Sequence, residues 1–241
     1  MARKPKPAAP AAIAEGVTPP PTRSEVALTI TAPVFQVLET VIEGTAPLVI
    51  CRFSKKGELM EKMAQGAASK SKRTREARQY DEEADAARHY ATGRAWEGIH
   101  AGGFRAAMIS ACRLVGFKMT IARMAVFVVE DGMDEDLATP LVRIYGQSVT
   151  HTAHTRNATG VVDVRARPMY KQWACKLRIR YDSGLVTAQD VLNLIARVGG
   201  QVGIGEGRPD SKSSAGCGWG TFRVVGSDEA AAVAKAYGIP A

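Results

Sequence analysis

"QWACKLRIRYD", residues 172–182, decides how the chain is read. Trp173, Cys175, Leu177, Ile179 and Tyr181 alternate with Ala174, Lys176, Arg178 and Arg180. Alternation of this kind places successive side chains on opposite faces of an extended strand. One face is apolar and belongs in a core. The other carries three cations at a spacing of about 6.5–7 Å, the scale of phosphate repeats along a nucleic-acid strand. The wetted side of an ordinary sheet has the same pattern, so the strand alone leaves both readings open.

Downstream, Thr187 with Asp190 three residues on forms a helix start, and the spacing predicts a helix to Val198, closed by Gly199-Gly200. "VGIGEGRPDSKSSAGCGWGTFRVV" (202–225) follows, with six glycines ahead of a last strand at 220–225. Glycine is the default where backbone takes φ > 0 or closely approaches a ligand or another backbone. The loop lacks the G-K-[ST] of a P-loop and leads into a strand rather than a helix, so a nucleotide cofactor is not expected. Arg208 and Lys212 within it are placed to meet a phosphate, with Trp219 beside them; a purely structural closure would need the glycines alone.

Upstream, "GFRAAMISACRLVG" (103–116) predicts an amphipathic helix with Phe104, Met108, Ala111, Cys112 and Val115 on one face. Strands are expected at 26–31, 47–54, 123–130 and 140–146, the last two joined by an acidic, solvated loop. The resulting order is βαββαβ, an α+β, ferredoxin-like antiparallel sheet with helices on one face and insertions at 55–95 and 147–168. Residues 1–24 are rich in Ala and Pro and read as a disordered tail, 25–226 as the core, and 227–241 as a C-terminal helix or tail.

Net charge is +8 and the chain is 241 residues long, which favours a polyanionic partner over an acidic substrate. From Arg52 to Arg78 there are nine cations against three acids. Lys55, Lys56, Lys70, Lys72, Arg73, Arg75 and Arg78 therefore read as a basic arm, or as a merely solvated insertion. Arg165 and Arg167 repeat the cationic alternation more weakly. Trp96, Trp219 and Tyr170 are possible base-stacking rings, although rings of this kind more often belong to a core. The four cysteines are far apart and read as reduced, mostly buried thiols, with a cytoplasmic setting expected. His100 stands at a helix start, and His151 with His154 forms an H-x-x-H in an expected loop, with no third ligand at a metal-site spacing. There is no apolar run long enough for a membrane span and no secretory signal pattern.

The ending "GIGEGRPDSKSSAGCGWGTFRVV" resembles the glycine-rich closing segment of RAMP proteins, the backbone subunits of CRISPR effector complexes, with Gly216, Gly218, Gly220, Phe222 and Val224 in matching places. "GIHAGGFRAAMISACR" (98–113) and "TAPLVICRFS" (45–54) resemble that family's first helix opening and early strand, so the likeness spans roughly 26–226. The layout is also similar to small basic proteins encoded by tailed phages, which have a bulky residue where this chain has Gly207. The RAMP resemblance implies a ferredoxin-like palm and a basic thumb that grip single-stranded RNA as a row of subunits. Lys176, Arg178 and Arg180 would then be the palm and 55–78 the thumb. A phage setting pulls toward single-stranded DNA. The expected function is non-catalytic binding of single-stranded RNA or DNA with filament-like self-association. A phage structural or interaction protein remains open, as does a metal-independent endoribonuclease acting through a histidine such as His100.

Overall fold

Buried and exposed side chains alternate along Ala174–Asp182, and the molecule is organised around that strand. The computed structural model describes residues 31–52, 80–156, 162–211 and 216–240. In chain order these form β1 (Phe35–Gly44), β2 (Leu48–Val49), α1 (Tyr80–Ala86), β3 (His89–Tyr90), β4 (Glu97–His100) and α2 (Ala101–Ala111). They continue with α3 (Met119–Ala125), β5 (Val126–Val129), β6 (Gly132–Met133), β7 (Pro140–Arg143), β8 (Ser148–Arg156) and β9 (Val162–Tyr170). The chain closes with β10 (Ala174–Asp182), α4 (Ala188–Arg197), β11 (Phe222–Val224) and α5 (Ala230–Tyr237).

The result is an α+β molecule with antiparallel sheets. The principal sheet runs β11-β1-β10-β5, flanked by the three-stranded β2-β9-β8 and the four-stranded β3-β4-β7-β6. Two strand–helix–strand passages build the principal sheet, β1 to β5 by way of α2 and β10 to β11 by way of α4. Both helices lie on its inner face. Phe104, Met108, Val191 and Ile195 meet Ile42, Cys175, Leu177 and Ile179 there, with Trp173 and Phe222 edge-to-face at 6.1 Å. Burying a large apolar side chain of this kind contributes about 1.5–3 kcal/mol, so this layer anchors the fold. On the outer face, α5 covers one end, where Tyr237 and Ile239 pack on Val41, Tyr145 and Ala174.

Several expectations are corrected. The first strand among the described residues is β1 at 35–44; of the expected strand at 26–31, Thr31 is not in a strand and 26–30 fall outside the described residues. Of the described part of 47–54 only Leu48–Val49 is strand, because the chain leaves the sheet at Ile50 to bury Arg52; 53 and 54 fall outside the described residues. The stretch 123–130 begins as the end of α3, and the strand starts at Val126. Gly199-Gly200 does not end the second helix: one π-type turn, Val198–Val202, carries it on to Gly203. The Thr187–Asp190 start is seen as a reciprocal capping box. Ser148–Arg156 and Val162–Tyr170 pair as a long antiparallel ladder, so His151 and His154 lie on a strand instead of a loop. Cys112 and Cys175 are buried, whereas Cys51 and Cys217 are exposed. The expected N-terminal tail lies outside the described residues. Among the described residues no helix is long and apolar enough to cross a membrane.

Candidate nucleic-acid interface

The alternation of β10 sends Lys176, Arg178 and Arg180 to the outer face, away from α2 and α4. β1 and β5 add Phe35, Val37, Glu39, Phe127 and Val129 to the same face. The cations there are differently held. Lys176 Nζ lies 3.3 Å from Glu39, and Arg178 is gripped by Asp131 at 2.9 Å and by the Glu130 carbonyl. Among the described residues Arg180 has no carboxylate partner. Its guanidinium stands over two rings instead, 5.0 Å from Phe35 and 4.9 Å from Phe127. Those rings meet edge-to-face at 6.0 Å, and Arg105 reaches Phe127 from α2 at 4.9 Å. Each such contact at an exposed site is worth about 0.5–1 kcal/mol, enough to order the guanidinium while its edges stay accessible.

A second patch gathers four of the other expected residues. Arg165 and Arg167 share one face of the β8–β9 hairpin with His151. The glycine-rich loop packs there: Arg167 Nε donates to Glu206 at 3.1 Å, and Trp219 meets His151 edge-to-face at 5.4 Å. Arg208 Nη1 donates to the Gly205 carbonyl at 3.0 Å, and Asp210 is tied to Arg113 and Ser110 on the far side of the loop. This patch lies on the helix side of the principal sheet, since Ile204 enters the inner core. The sheet therefore separates the loop from Lys176, Arg178 and Arg180.

All six loop glycines have φ between 68° and 76°. Their surroundings show what that conformation serves. The Gly203, Ile204, Glu206 and Gly220 N–H groups donate to Val198, Gly220, Val49 and Pro47 carbonyls, and the Asp210 and Trp219 N–H groups to Val202 and Gly207. These donors close the loop onto β2 and the core, so none of them is left to face a phosphate. Among the expected loop contacts, Arg208 and Trp219 are the described ones whose side chains reach the patch. Lys212, with Lys55, Lys56, Lys70, Lys72, Arg73, Arg75 and Arg78, lies outside the described residues.

Other candidates are relocated. Tyr170 is 1% exposed and donates its hydroxyl to Glu97, with burial pushing its pKa well up, so it is a core ring and cannot stack on a base. Trp96 is half-buried, with the Arg143 guanidinium 6.0 Å from its ring. His151 and His154 are three residues apart on a strand and point to opposite faces, which rules them out as a chelating pair. His100 stands immediately before α2, as expected, and its side chain makes no capping hydrogen bond there. The acidic loop is not merely solvated: Asp134, 2% exposed, accepts from Arg52 at 3.2 Å and His89 at 2.8 Å, and Arg52 also reaches Asp136 at 2.6 Å.

Sequence reasoning missed Phe35 and Phe127. Phe127 lies on the strand expected at 123–130, but nothing in that run aims it at the β10 cations. For Phe35 the one hint was the β-branched content of Val37, Thr40, Val41 and Ile42 between Pro33 and Gly44, which marks a strand without marking its faces. No family model and no curated protein matches the chain.

Proposed function

We propose that the protein binds single-stranded RNA or DNA without cleaving it, through a ferredoxin-like core of the RAMP type. The strand order β11-β1-β10-β5 and its two strand–helix–strand passages support that core. The observation that carries the functional reading is the outer face of the sheet, where Arg180 is held by Phe35 and Phe127 instead of by a carboxylate. Cations beside exposed rings suit a backbone with splayed bases, since rings stack on bases and cations meet phosphates. Copies laid side by side along one strand would extend the same surface. The second patch, with Arg165, Arg167, Arg208 and Trp219, would meet the strand on the other side of the core, together with the basic segment 55–78.

The ion pairs of Lys176 and Arg178 with Glu39 and Asp131 favour one other reading, an interaction protein whose charged face is satisfied internally. Fluorescence anisotropy with a labelled oligonucleotide across a salt series separates the two. Binding should weaken steeply with salt, and the Arg178→Ala/Arg180→Ala double variant should reduce the log–log slope by about 1.4. An affinity indifferent to salt and to this variant would exclude the nucleic-acid reading. Competition between matched RNA and DNA oligonucleotides assigns the sugar.

A further inference from the structure

β1 is ten residues long and bonded unequally on its two sides. Along 35–43 it pairs with β10, but on the other side β11 meets only Ile42, Glu43 and Gly44. The Val225 N–H donates to Val41 at 2.9 Å, and the Gly44 N–H donates to Trp173. Odd-numbered residues of β1 therefore turn their N–H and C=O groups away from β10. At Phe35, Val37 and Glu39 this edge has no strand beside it among the described residues. The opposite edge of the sheet differs, because Arg105 Nε donates to the Val126 carbonyl at 3.1 Å and blocks it. An uncovered strand edge is a template for another strand.

The sequence along this edge is self-complementary. We infer that a second copy of this chain docks there, β1 against β1 of the partner, antiparallel about a two-fold axis at Val37. In that register Val37 faces Val37 of the partner subunit, and Phe35 faces Glu39 of the partner subunit on each side. Six backbone hydrogen bonds close between the odd-numbered residues. Charge agrees with the register: the partner's Glu39 arrives beside Phe35, over which the Arg180 guanidinium already stands.

Apolar exposure agrees as well. Val34, Phe35 and Val37 are 59%, 43% and 58% exposed. The two-fold pairs Val37 with its counterpart on the outer face. On the inner face it carries Val34 into a groove of about 690 Å³ beside the β1 edge, lined by Leu38, Leu192, Ala196 and Val224. A two-fold contact closes on itself, so the repeating unit of any longer assembly is a dimer.

The test is the mass of the full chain by sedimentation equilibrium without nucleic acid, so its outcome is independent of the binding reading. An interface this small belongs to the micromolar class, so protein is varied from about 1 to 200 μM. Wild type should dimerise over that range. Val37→Glu and Val37→Lys should each raise the dissociation constant roughly tenfold or more, because like charges then stand opposite one another. Two signs are needed because Arg180 lies across from Val37 within the protomer and favours the acidic variant. Mixing the two variants should restore the dimer, which also shows that both are folded. A monomeric wild type overturns the proposal. Variants that associate as wild type does, or a mixture that stays monomeric, overturn it equally.

Discussion

At the scale of single residues, the glycines of the closing loop divide into those the fold requires and those it tolerates. Gly220 has φ +68°, and a Cβ there would run into the Ile204 backbone, whose N–H bonds to the Gly220 carbonyl at 3.0 Å. Gly218 has φ +73° but open space where a Cβ would stand. Gly220→Ala should therefore cost at least about 2 kcal/mol, or roughly 4–8 °C in Tm, through strain and clash together. Gly218→Ala should cost only the left-handed penalty, about 1–2 kcal/mol. Equal thermal melts for the two would refute this division. His89 is a second residue with a measurable signature. Burial is the largest influence and holds its pKa below the ordinary 6.5; Asp134 pulls it upward, while Arg52 and His100 push it further down. The folded state thus keeps this imidazole neutral, with its Nδ1–H on Asp134, and the unfolded chain takes the proton first. Stability is complete above about pH 6.5 and declines as pH falls toward the folded value. Burial alone would raise the Asp134 carboxyl, but N–H donors from Leu137 and Asp136, His89 and Arg52 outweigh it and lower its pKa from 3.8, so its contribution is lost only at lower pH. His89→Asn keeps a donor near Nδ1 and should flatten the loss between pH 7 and 5 in urea titrations; an unchanged profile would assign that loss elsewhere.

At the scale of elements, legibility follows how completely each element separates its two faces. β10 was readable because every residue from Trp173 to Tyr181 on the core side is apolar and Lys176, Arg178 and Arg180 occupy the other side. α4 was readable because Thr187 and Asp190 announce its start. β1 was not, since "FQVLETVIEG" mixes classes on both faces: Gln36 and Thr40 share the inner side with Leu38 and Ile42, and Phe35 and Val37 stand outside. A strand whose outer face bears exposed rings has no clean period to detect. Consequently the cations of the outer face could be named from the sequence, and their aromatic partners could not. Val198–Val202 shows a different limit, where tertiary packing of Val198 and Val202 into the core carries a helix past two adjacent glycines.

At the scale of the whole molecule, the basic segment between Arg52 and Tyr80 is bracketed by residues that belong to the core. The Arg52 N–H donates to the Ala87 carbonyl at 3.0 Å, just beyond α1, and its guanidinium is buried on Asp134 and Asp136. Ala84 of α1 is fully buried, and Arg88 binds Ser148 and Asp85, so the chain's return is fastened to the β8–β9 hairpin. Both ends of the segment are therefore held by contacts that its own residues do not supply. Replacing residues 54–78 by a short Gly/Ser linker should leave the melting temperature within about 2 °C of wild type, because the contacts named at Arg52, Ala84 and Arg88 all lie outside the replaced stretch and are kept. The same replacement removes eight cations and three acids, a net +5 of the chain's +8, so oligonucleotide affinity should fall and its salt dependence should become shallower. Arg52→Met gives the opposite pair of results. It leaves Asp134 buried without its cation and should lower stability by about 3–5 kcal/mol, while the salt slope of whatever remains folded is unaltered. A linker variant that unfolds, or that binds with the wild-type slope, would show that the segment is part of the scaffold and takes no part in the charged surface.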